Sequence, residues 1–169
     1  ADNCPMEAGP VANHGCPDSD RDGDGVVDRL DNCPDEPGPE SNQGCRERQQ
    51  VVIREDRLEI LDKVYFAFRK DEIKPQSYSV LKAVAGILEA NPTIKRIQVA
   101  GYTDGRGGSK FNQQLSQRRA EAVMDFLKAE GVSSGRLEAV GYGKSKPAVE
   151  GGSPAARSKN RRVEFVILD

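Results

Sequence analysis

The sequence predicts an α/β (α+β) sandwich in the order β-α-β-α-β-β, with a mixed sheet and helices on one face, preceded by a small irregular segment. Apolar residues recur at helical spacing in two stretches and alternate with polar residues in others, which predicts the sandwich. Residues 1–45 hold 11 acidic and 2 basic residues, a net charge of −9, whereas the remainder carries +7. This asymmetry indicates two modules, 1–49 and 50–169.

The acidic segment contains an internal repeat and all four cysteines of the chain. Two 14-residue units, 29 residues apart, share nine identical positions, and each unit has one cysteine near its start and another at its end. Closure of each unit on itself would give disulfides Cys4–Cys16 and Cys33–Cys45, which we favour among the three possible pairings. Disulfides in a core-poor segment indicate an oxidising compartment.

Carboxylates recur at alternate positions between the two repeats. Counted from Asp20, they occupy positions 1, 3, 5, 9 and 12, and Gly25 stands at position 6. This is the register of an EF-hand-like calcium loop, although no helix pattern flanks it. We therefore predict a Ca²⁺ site with the candidate ligands Asp20, Asp22, Asp24, Val26, Asp28 and Asp31, and with Asp18 as a candidate ligand of a second ion. The alternative is a solvated acidic linker, but its carboxylates would then repel one another.

The first half of the basic module reads as a strand followed by a helix. Residues 57–68 alternate well enough for a strand, and Pro75 suits the first turn of a helix. Asn91-Pro92 ends this helix. Its predicted buried stripe consists of Tyr78, Leu81, Val84, Ala85 and Leu88.

The second half predicts three strands around a longer helix. Strands are expected over 94–102, 136–142 and 162–168. The helix is expected over 109–130, with Gly131 well suited to follow its C-terminus.

Arg119 is the exception on the buried face of this second helix. Helical spacing places it in line with Asn112, Leu115, Val123, Phe126 and Leu127. A guanidinium there is costly unless an anion meets it, and Asp104, in the preceding turn, is the predicted partner. One interpretation is a structural ion pair. The other is a half-open pair that binds a zwitterion, with Asp104 on an ammonium and Arg119 on a carboxylate.

The acidic segment resembles a thrombospondin type 3 repeat. The pattern D-x-D-x-D-G-x-x-D-x-x-D-x-C of these repeats is matched from Asp20 to Cys33. The resemblance implies calcium bound to an extended backbone with little secondary structure.

Residues 57–168 resemble the OmpA-like peptidoglycan-binding domain of OmpA, Pal and MotB-type proteins. Five motifs carry this resemblance in order: F-x-F at 66–68, G-Y-T-D at 101–104, N-x-x-L-S-x-x-R-A-x-x-V at 112–123, G-Y-G at 141–143, and N-R-R-V-E at 160–164. The fold implied is the sandwich described above. The function implied is non-covalent binding of peptidoglycan, in the periplasm and at the outer membrane, with attachment through a region preceding Ala1.

The resemblance also implies roles for individual residues. In the family, the residues that match Asp104 and Arg119 bind diaminopimelate, the zwitterionic residue of the peptidoglycan stem. The supporting residues implied are Thr103, Asn112, Leu115, Phe68 and Arg162, with Arg161 as an alternative donor to Arg162. One departure lies at 66–70, where F-A-F-R-K replaces the frequent F-D-F-D and adds positive charge at the rim of the pocket.

Other functions have weaker support in the sequence. The basic module has no His, no Cys and no paired carboxylates at acid/base spacing, so we predict no enzyme. It lacks interleaved aromatics on a basic face, which argues against nucleic acid. The main alternative is a calcium-dependent adhesion or spacer module with the basic domain as scaffold. A further hypothesis has the acidic segment fold over the basic domain and occlude its pocket.

Overall fold

In a computed structural model of the chain, five strands and two α-helices follow the acidic segment among the residues that the structure describes. The structure describes residues 8–10, 12, 17–45, 49–67, 70–104, 106, 108–144, 153 and 161–168. The elements are β1 Val51–Ile53, β2 Arg57–Ile60, α1 Tyr78–Ala90, β3 Ile97–Tyr102, α2 Ser109–Ala129, β4 Leu137–Gly143 and β5 Val163–Ile167. Among the described residues, no helix has the length and apolar character needed to cross a bilayer.

The strands form one mixed sheet in the order β1-β2-β5-β3-β4. β3 and β4 are parallel, and the other neighbouring pairs are antiparallel. Side chains from one face of the sheet, such as Val99 and Phe165, are fully buried together with Leu81 and Leu88 of α1 and Val123 of α2. The predicted mixed sheet with helices on one face is confirmed.

The first predicted strand is too long, and another strand was missed. β2 ends at Ile60, and residue 66 makes only an isolated bridge to Ile73. The chain bends at residues 61–62 and is then irregular. The alternation of apolar and polar residues beyond Ile60 therefore does not correspond to a strand of the sheet. β1 has three residues, too few for a period-2 pattern to stand out.

Helix α1 begins after a 3-10 turn over Pro75–Ser77 and ends before Asn91, as predicted. The predicted stripe is buried except at Tyr78, which is 39% exposed. Tyr78 is the first residue of α1, and its ring packs on Phe126 of α2, with the centroids 5.3 Å apart, instead of entering the core.

Two glycines let α2 lie unusually close to the sheet. A Cβ on Gly101 would lie 2.5 Å from the Ser116 carbonyl oxygen, and one on Gly141 would overlap the backbone of Gln117. The Gln117 side chain accepts a hydrogen bond from the Gly141 N–H (2.7 Å) and donates one to the Ala139 carbonyl (3.0 Å). These bonds cover the open edge of β4 and fix the position of α2 along it.

The described part of the acidic segment is irregular apart from short 3-10 turns such as Asp28–Leu30 and Glu40–Asn42. The predicted Cys33–Cys45 disulfide is present, with Cα atoms 5.0 Å apart. The predicted Cys4–Cys16 pair lies outside the described residues.

The acidic segment packs against the end of the sandwich where β3 and β4 begin. The side-chain amide of Asn91, just after α1, donates to the Asp28 carbonyl at 3.3 Å. The Ile53 N–H, at the end of β1, donates to the Asn32 side chain at 3.1 Å. Arg21 pairs with Asp35 within the segment at 2.8 Å and approaches Glu89 of α1 at 3.6 Å.

Candidate functional site

A cavity of about 540 Å³ opens at the opposite end of the sandwich, where β3 ends. Its walls come from four separate stretches: residues 63–66 after β2, residues 101–104 and 106 around the end of β3, one face of α2, and residues 161–163 at the start of β5. Described residues of four of the family motifs meet at this cavity, and they include most of the predicted binding residues.

The irregular loop after β2 is held in place by a buried serine. Ser77, fully buried in the turn before α1, accepts a hydrogen bond from the Tyr65 N–H at 2.7 Å. The same hydroxyl donates to the Lys63 carbonyl at 3.5 Å. The loop, which leaves the sheet after β2, therefore forms one wall of the cavity.

Asp104 is the one carboxylate among the described residues that line the cavity, and it is only 5% exposed. It accepts hydrogen bonds from the Arg106 N–H (2.9 Å) and from the Arg106 guanidinium (3.2 and 3.0 Å). The Arg161 guanidinium donates another at 2.8 Å. Burial alone raises the pKa of this carboxyl, but the bonds from Arg106 and Arg161 outweigh burial and hold the pKa well below its usual range.

Arg119 lies on the wall of the cavity formed by α2, and its two contacts are with uncharged groups. Its Nε donates to the Lys70 carbonyl at 2.8 Å, and its guanidinium lies 4.8 Å from the centre of the Phe66 ring. Burial lowers the pKa of Arg119, and the like charge of Arg161 lowers it further. The group remains a cation near neutral pH.

The predicted direct partnership of Asp104 with Arg119 is wrong. In the described part of the chain, the ion pairs of Asp104 are with Arg106 and Arg161. The reason is local: Arg106 is two residues from Asp104 in the same turn, and Arg161 reaches it from the start of β5. Asp104 and Arg119 thus line one cavity while each keeps other partners, and the half-open pair that binds a zwitterion stays a prediction.

Three other predicted residues line the same cavity. Thr103 is 6% exposed, and its hydroxyl oxygen has no hydrogen-bond partner among the described residues, which is uncommon for a buried polar atom. Asn112 donates from its side chain to the Arg106 carbonyl at 2.7 Å and so fixes the turn that follows Asp104. Leu115, 5% exposed, supplies apolar wall.

The last two predicted ligand-binding residues differ in outcome. Arg162 lines the cavity with its guanidinium 3.8 Å from the centre of the Tyr102 ring and its Nε 3.6 Å from Glu164. Phe68 lies outside the described residues, so its role stays a prediction. Phe66, which shares its motif, contacts Arg119 instead.

Sequence reasoning missed Lys63 and Arg106, both of which line the cavity. A signal existed for Arg106, because an aspartate often accepts a hydrogen bond from the N–H two residues on in a glycine-rich turn. No signal existed for Lys63, because the irregular loop that carries it was predicted to be strand.

The predicted calcium ligands come together only in part. Carboxylate oxygens of Asp20, Asp22 and Asp24 lie within 4.8 Å of one another. Asp31 is fully buried beside them, and burial together with the Asp22 and Asp24 charges raises its pKa to about 7. One oxygen of Asp31 and one of Asp22 are buried and accept no hydrogen bond from the described residues. Burial likewise raises the pKa of Asp22, to about 6.

Two predicted ligands have other partners. Asp28 is buried and accepts hydrogen bonds from the Ser19 hydroxyl (2.7 Å) and the Arg21 N–H (3.0 Å). Asp18 forms an ion pair with Arg29 at 2.7 Å. Val26 is buried, and its N–H donates to the Asp24 side chain. Asp28 and Asp18 therefore shape the loop in this structure.

The hypothesis that the acidic segment occludes the cavity is wrong for the residues described. No residue of 17–45 lines the cavity, which is formed by residues 63 onward. The contacts of that segment lie instead at the other end of β3, near Asn91 and Ile53.

Known proteins resemble this chain over its basic module. A peptidoglycan-associated lipoprotein of Pasteurella multocida is 47% identical over 100 residues, which cover 59% of this chain and 66% of that protein. Outer membrane porin F of Pseudomonas fluorescens is 42% identical over 104 residues, which cover 62% of this chain and 32% of the porin. The matched region is therefore less than two thirds of either relative.

A solved structure shares the fold. The crystal structure of the peptidoglycan-associated lipoprotein from Burkholderia pseudomallei superimposes with a TM-score of 0.57 at 38% identity, over 62% of this chain and 89% of the other. A model of the OmpA family matches residues 65–161, more than half of the chain and the stretch that supplies most of the residues lining the cavity. The chain therefore belongs to the OmpA family.

Proposed function

We propose that this chain binds peptidoglycan non-covalently through the diaminopimelate residue of the stem peptide, and so anchors the outer membrane to the cell wall from the periplasm. The observation that carries the proposal is one cavity that contains a buried carboxylate, Asp104, and a guanidinium, Arg119, which do not pair with each other. The names of the relatives, a peptidoglycan-associated lipoprotein and an outer membrane porin, support the same function.

A zwitterionic centre suits these two walls. Its ammonium would meet Asp104, and its carboxylate would meet the nitrogens of Arg119 that face the cavity. Arg119 is held by the Lys70 carbonyl and the Phe66 ring, so little side-chain freedom is lost when the ligand arrives. A ligand that carries only an amine or only a carboxylate would engage one of these two walls and lose the charge-assisted contact at the other, which contributes about 1.5–3 kcal/mol.

The buried hydroxyl of Thr103 supports a polar ligand in the same place. It lies next to Asp104 in the chain, lines the cavity, and has no hydrogen-bond partner in the described part of the protein. Such a hydroxyl is costly to leave unsatisfied, and a ligand amide or carboxylate would satisfy it.

Calcium in the acidic segment is a second part of the proposal. Crowded carboxylates and two buried, unpartnered carboxylate oxygens, of Asp22 and Asp31, fit a hard cation with oxygen ligands. Asp20, Asp22, Asp24 and Asp31 would hold it, and the ion would offset their mutual repulsion. Calcium here would stiffen the connector to the basic domain without touching the cavity.

The test compares two kinds of cell wall. The 169-residue chain would be co-sedimented with diaminopimelate-type and with lysine-type peptidoglycan, with and without EDTA. We expect pelleting with the diaminopimelate wall only, in either buffer, and release by free meso-diaminopimelate but not by pimelate or cadaverine. Equal pelleting with both walls would contradict the diaminopimelate site.

Co-sedimentation in EDTA tests the alternative function, in which the chain acts through bound calcium. A calcium-dependent adhesion or spacer module predicts that EDTA abolishes pelleting with every wall. Retention in EDTA would leave calcium with a structural role only.

A further inference from the structure

The cavity carries more positive charge than a zwitterion needs. Its described lining includes five cationic side chains and one carboxylate: Lys63, Arg106, Arg119, Arg161, Arg162 and Asp104. A diaminopimelate centre is neutral overall, so its ammonium and carboxylate would leave this excess unchanged. The remaining charge needs another explanation.

Arg161 and Lys63 line the same cavity as Asp104, and the contacts that hold Arg119 are made by other residues, Lys70 and Phe66. Arg161 is 2.8 Å from Asp104 and half-exposed, with 38% of its side chain accessible. Lys63 comes from the loop after β2, which Ser77 holds in place. Burial lowers the pKa of the Lys63 ammonium, and the Arg161 charge lowers it further while Asp104 opposes the change. Lys63, Arg161 and Asp104 therefore lie within electrostatic reach of one another.

Arg162 and Arg106 are bound differently. Arg162 is stacked on the Tyr102 ring and lies 3.6 Å from Glu164. Arg106 is tied to Asp104 by its own backbone N–H as well as by its guanidinium. Arg161 contacts Asp104 through one nitrogen only, so it is the guanidinium most easily redirected to a ligand.

We propose that Lys63 and Arg161 form a second anion subsite, which binds a carboxylate of the stem peptide other than the one at the diaminopimelate centre. The preferred ligand is then a stem whose glutamate carboxylate is free, and amidation of that group weakens binding. This inference rests on the proposed function and makes it more specific.

The subsite also accounts for how a ligand gains access to Asp104, whose two oxygens are already engaged. When the ligand ammonium reaches Asp104, it replaces the single bond from Arg161. Arg161 then turns to the second carboxylate, with Lys63 alongside. Each charge that loses a partner gains another, so the exchange leaves no buried ion unpaired.

The experiment uses two synthetic peptides, L-Ala-γ-D-Glu-meso-diaminopimelate with the glutamate α-carboxyl either free or amidated. Titration calorimetry would measure their binding to the 169-residue wild type and to Lys63→Gln and Arg161→Gln at one ionic strength. Loss of a charge-assisted contact predicts that amidation weakens binding to the wild type about 10-fold. In each variant the free peptide should bind almost as weakly as the amide.

Lys82→Gln is the matched control, because it removes the same charge from an exposed position on α1 outside the cavity. It should keep the full discrimination. Equal binding of both peptides to the wild type overturns the subsite and leaves the diaminopimelate site intact. If neither peptide binds the wild type, both the diaminopimelate site and the second subsite are overturned. Discrimination that persists in both variants overturns the assignment to Lys63 and Arg161, and Lys63→Gln decides this even when Arg161→Gln folds poorly.

Discussion

Two buried aspartates at opposite ends of the molecule behave in opposite ways. Asp104 in the cavity is 5% exposed, and Asp31 in the acidic loop is not exposed at all. The pKa of Asp104 lies well below its usual range, whereas that of Asp31 rises to about 7. Burial raises the pKa of both groups, so burial does not explain the difference.

The neighbours explain it. Asp104 meets the guanidiniums of Arg106 and Arg161, while Asp31 meets the carboxylates of Asp22 and Asp24. The cavity therefore supplies its own counter-charges, whereas the described neighbours of Asp31 add charge of the same sign. Under the proposals made above, the cavity would exchange these ion pairs with a ligand, and the loop would obtain its counter-charge from Ca²⁺.

The largest expected effect is a loss of peptidoglycan binding when Arg119, the proposed partner of the ligand carboxylate, is replaced. Arg119→Ala should weaken binding to diaminopimelate peptidoglycan by about 3 kcal/mol, a factor on the order of 100. The neighbouring, exposed Arg118→Ala is the matched control and should bind like the wild type. Co-sedimentation measures binding, and circular dichroism checks the fold. Equal loss in both variants would mean that general charge, and not the position of Arg119, drives binding.

The next effect concerns the acidic loop. Calcium at about 100 times its dissociation constant should stabilise the folded loop by about 2.7 kcal/mol, seen as slower hydrogen exchange at Gly25 and Val26. Asp31→Asn should abolish this gain and yet leave the loop at least as stable as the wild type in EDTA, since a repelled charge is removed. Asp56→Asn, on an exposed residue beside β2, is the control. An unchanged response to calcium in Asp31→Asn would exclude Asp31 as a ligand.

A smaller effect concerns the stability that Asp104 contributes. Its pKa is lower in the folded than in the unfolded chain, so its stabilising effect is complete above about pH 5 and is lost as pH falls below about 4. Asp104→Asn should lower the free energy of unfolding at pH 7 by about 1.5 kcal/mol and should flatten its decline in acid. Denaturant unfolding at pH 7 and pH 3 measures both. A difference between the two proteins that is the same at each pH would contradict this assignment.

The smallest expected effect is a change in the free energy of unfolding when Arg106 is replaced. Its side chain is 59% exposed, and its backbone N–H keeps its bond to the buried Asp104 in Arg106→Gln, so this substitution should change the free energy of unfolding by less than about 1 kcal/mol. It should also preserve the discrimination between free and amidated stem peptides that we assign to Lys63 and Arg161. Calorimetric titration of this variant with both peptides gives the comparison, and a loss of discrimination would move the second subsite to Arg106.

Periodicity was a good guide wherever an element is long. Both helices end within a residue of their predicted C-termini, because their buried stripes extend over several turns. Strands β3 and β5 lie within their predicted ranges, and β4 ends one residue beyond its predicted range of 136–142. The meeting of Asp104 and Arg119 in one cavity followed from the strand-turn-helix order and from the family resemblance.

Periodicity was a poor guide to short elements and to partners. β1 has only three residues, and the segment after Ile60 keeps an alternating pattern while leaving the sheet. Which cation meets Asp104 depends on the turn at Arg106 and on the start of β5, and neither has a sequence period. Asp28 fits the register of a calcium ligand, but Ser19 and Arg21 engage its carboxylate.

The position of the acidic segment also has a mechanical consequence. It joins the sandwich where β3 begins, whereas the cavity lies where β3 ends, about 20 Å away for a six-residue strand. Tension between the connector and a ligand in the cavity would therefore run along the strands and load their hydrogen bonds in shear instead of opening them one at a time. The Cys33–Cys45 crosslink and the bonds at Asn91 and Ile53 would bear that load before β1 does.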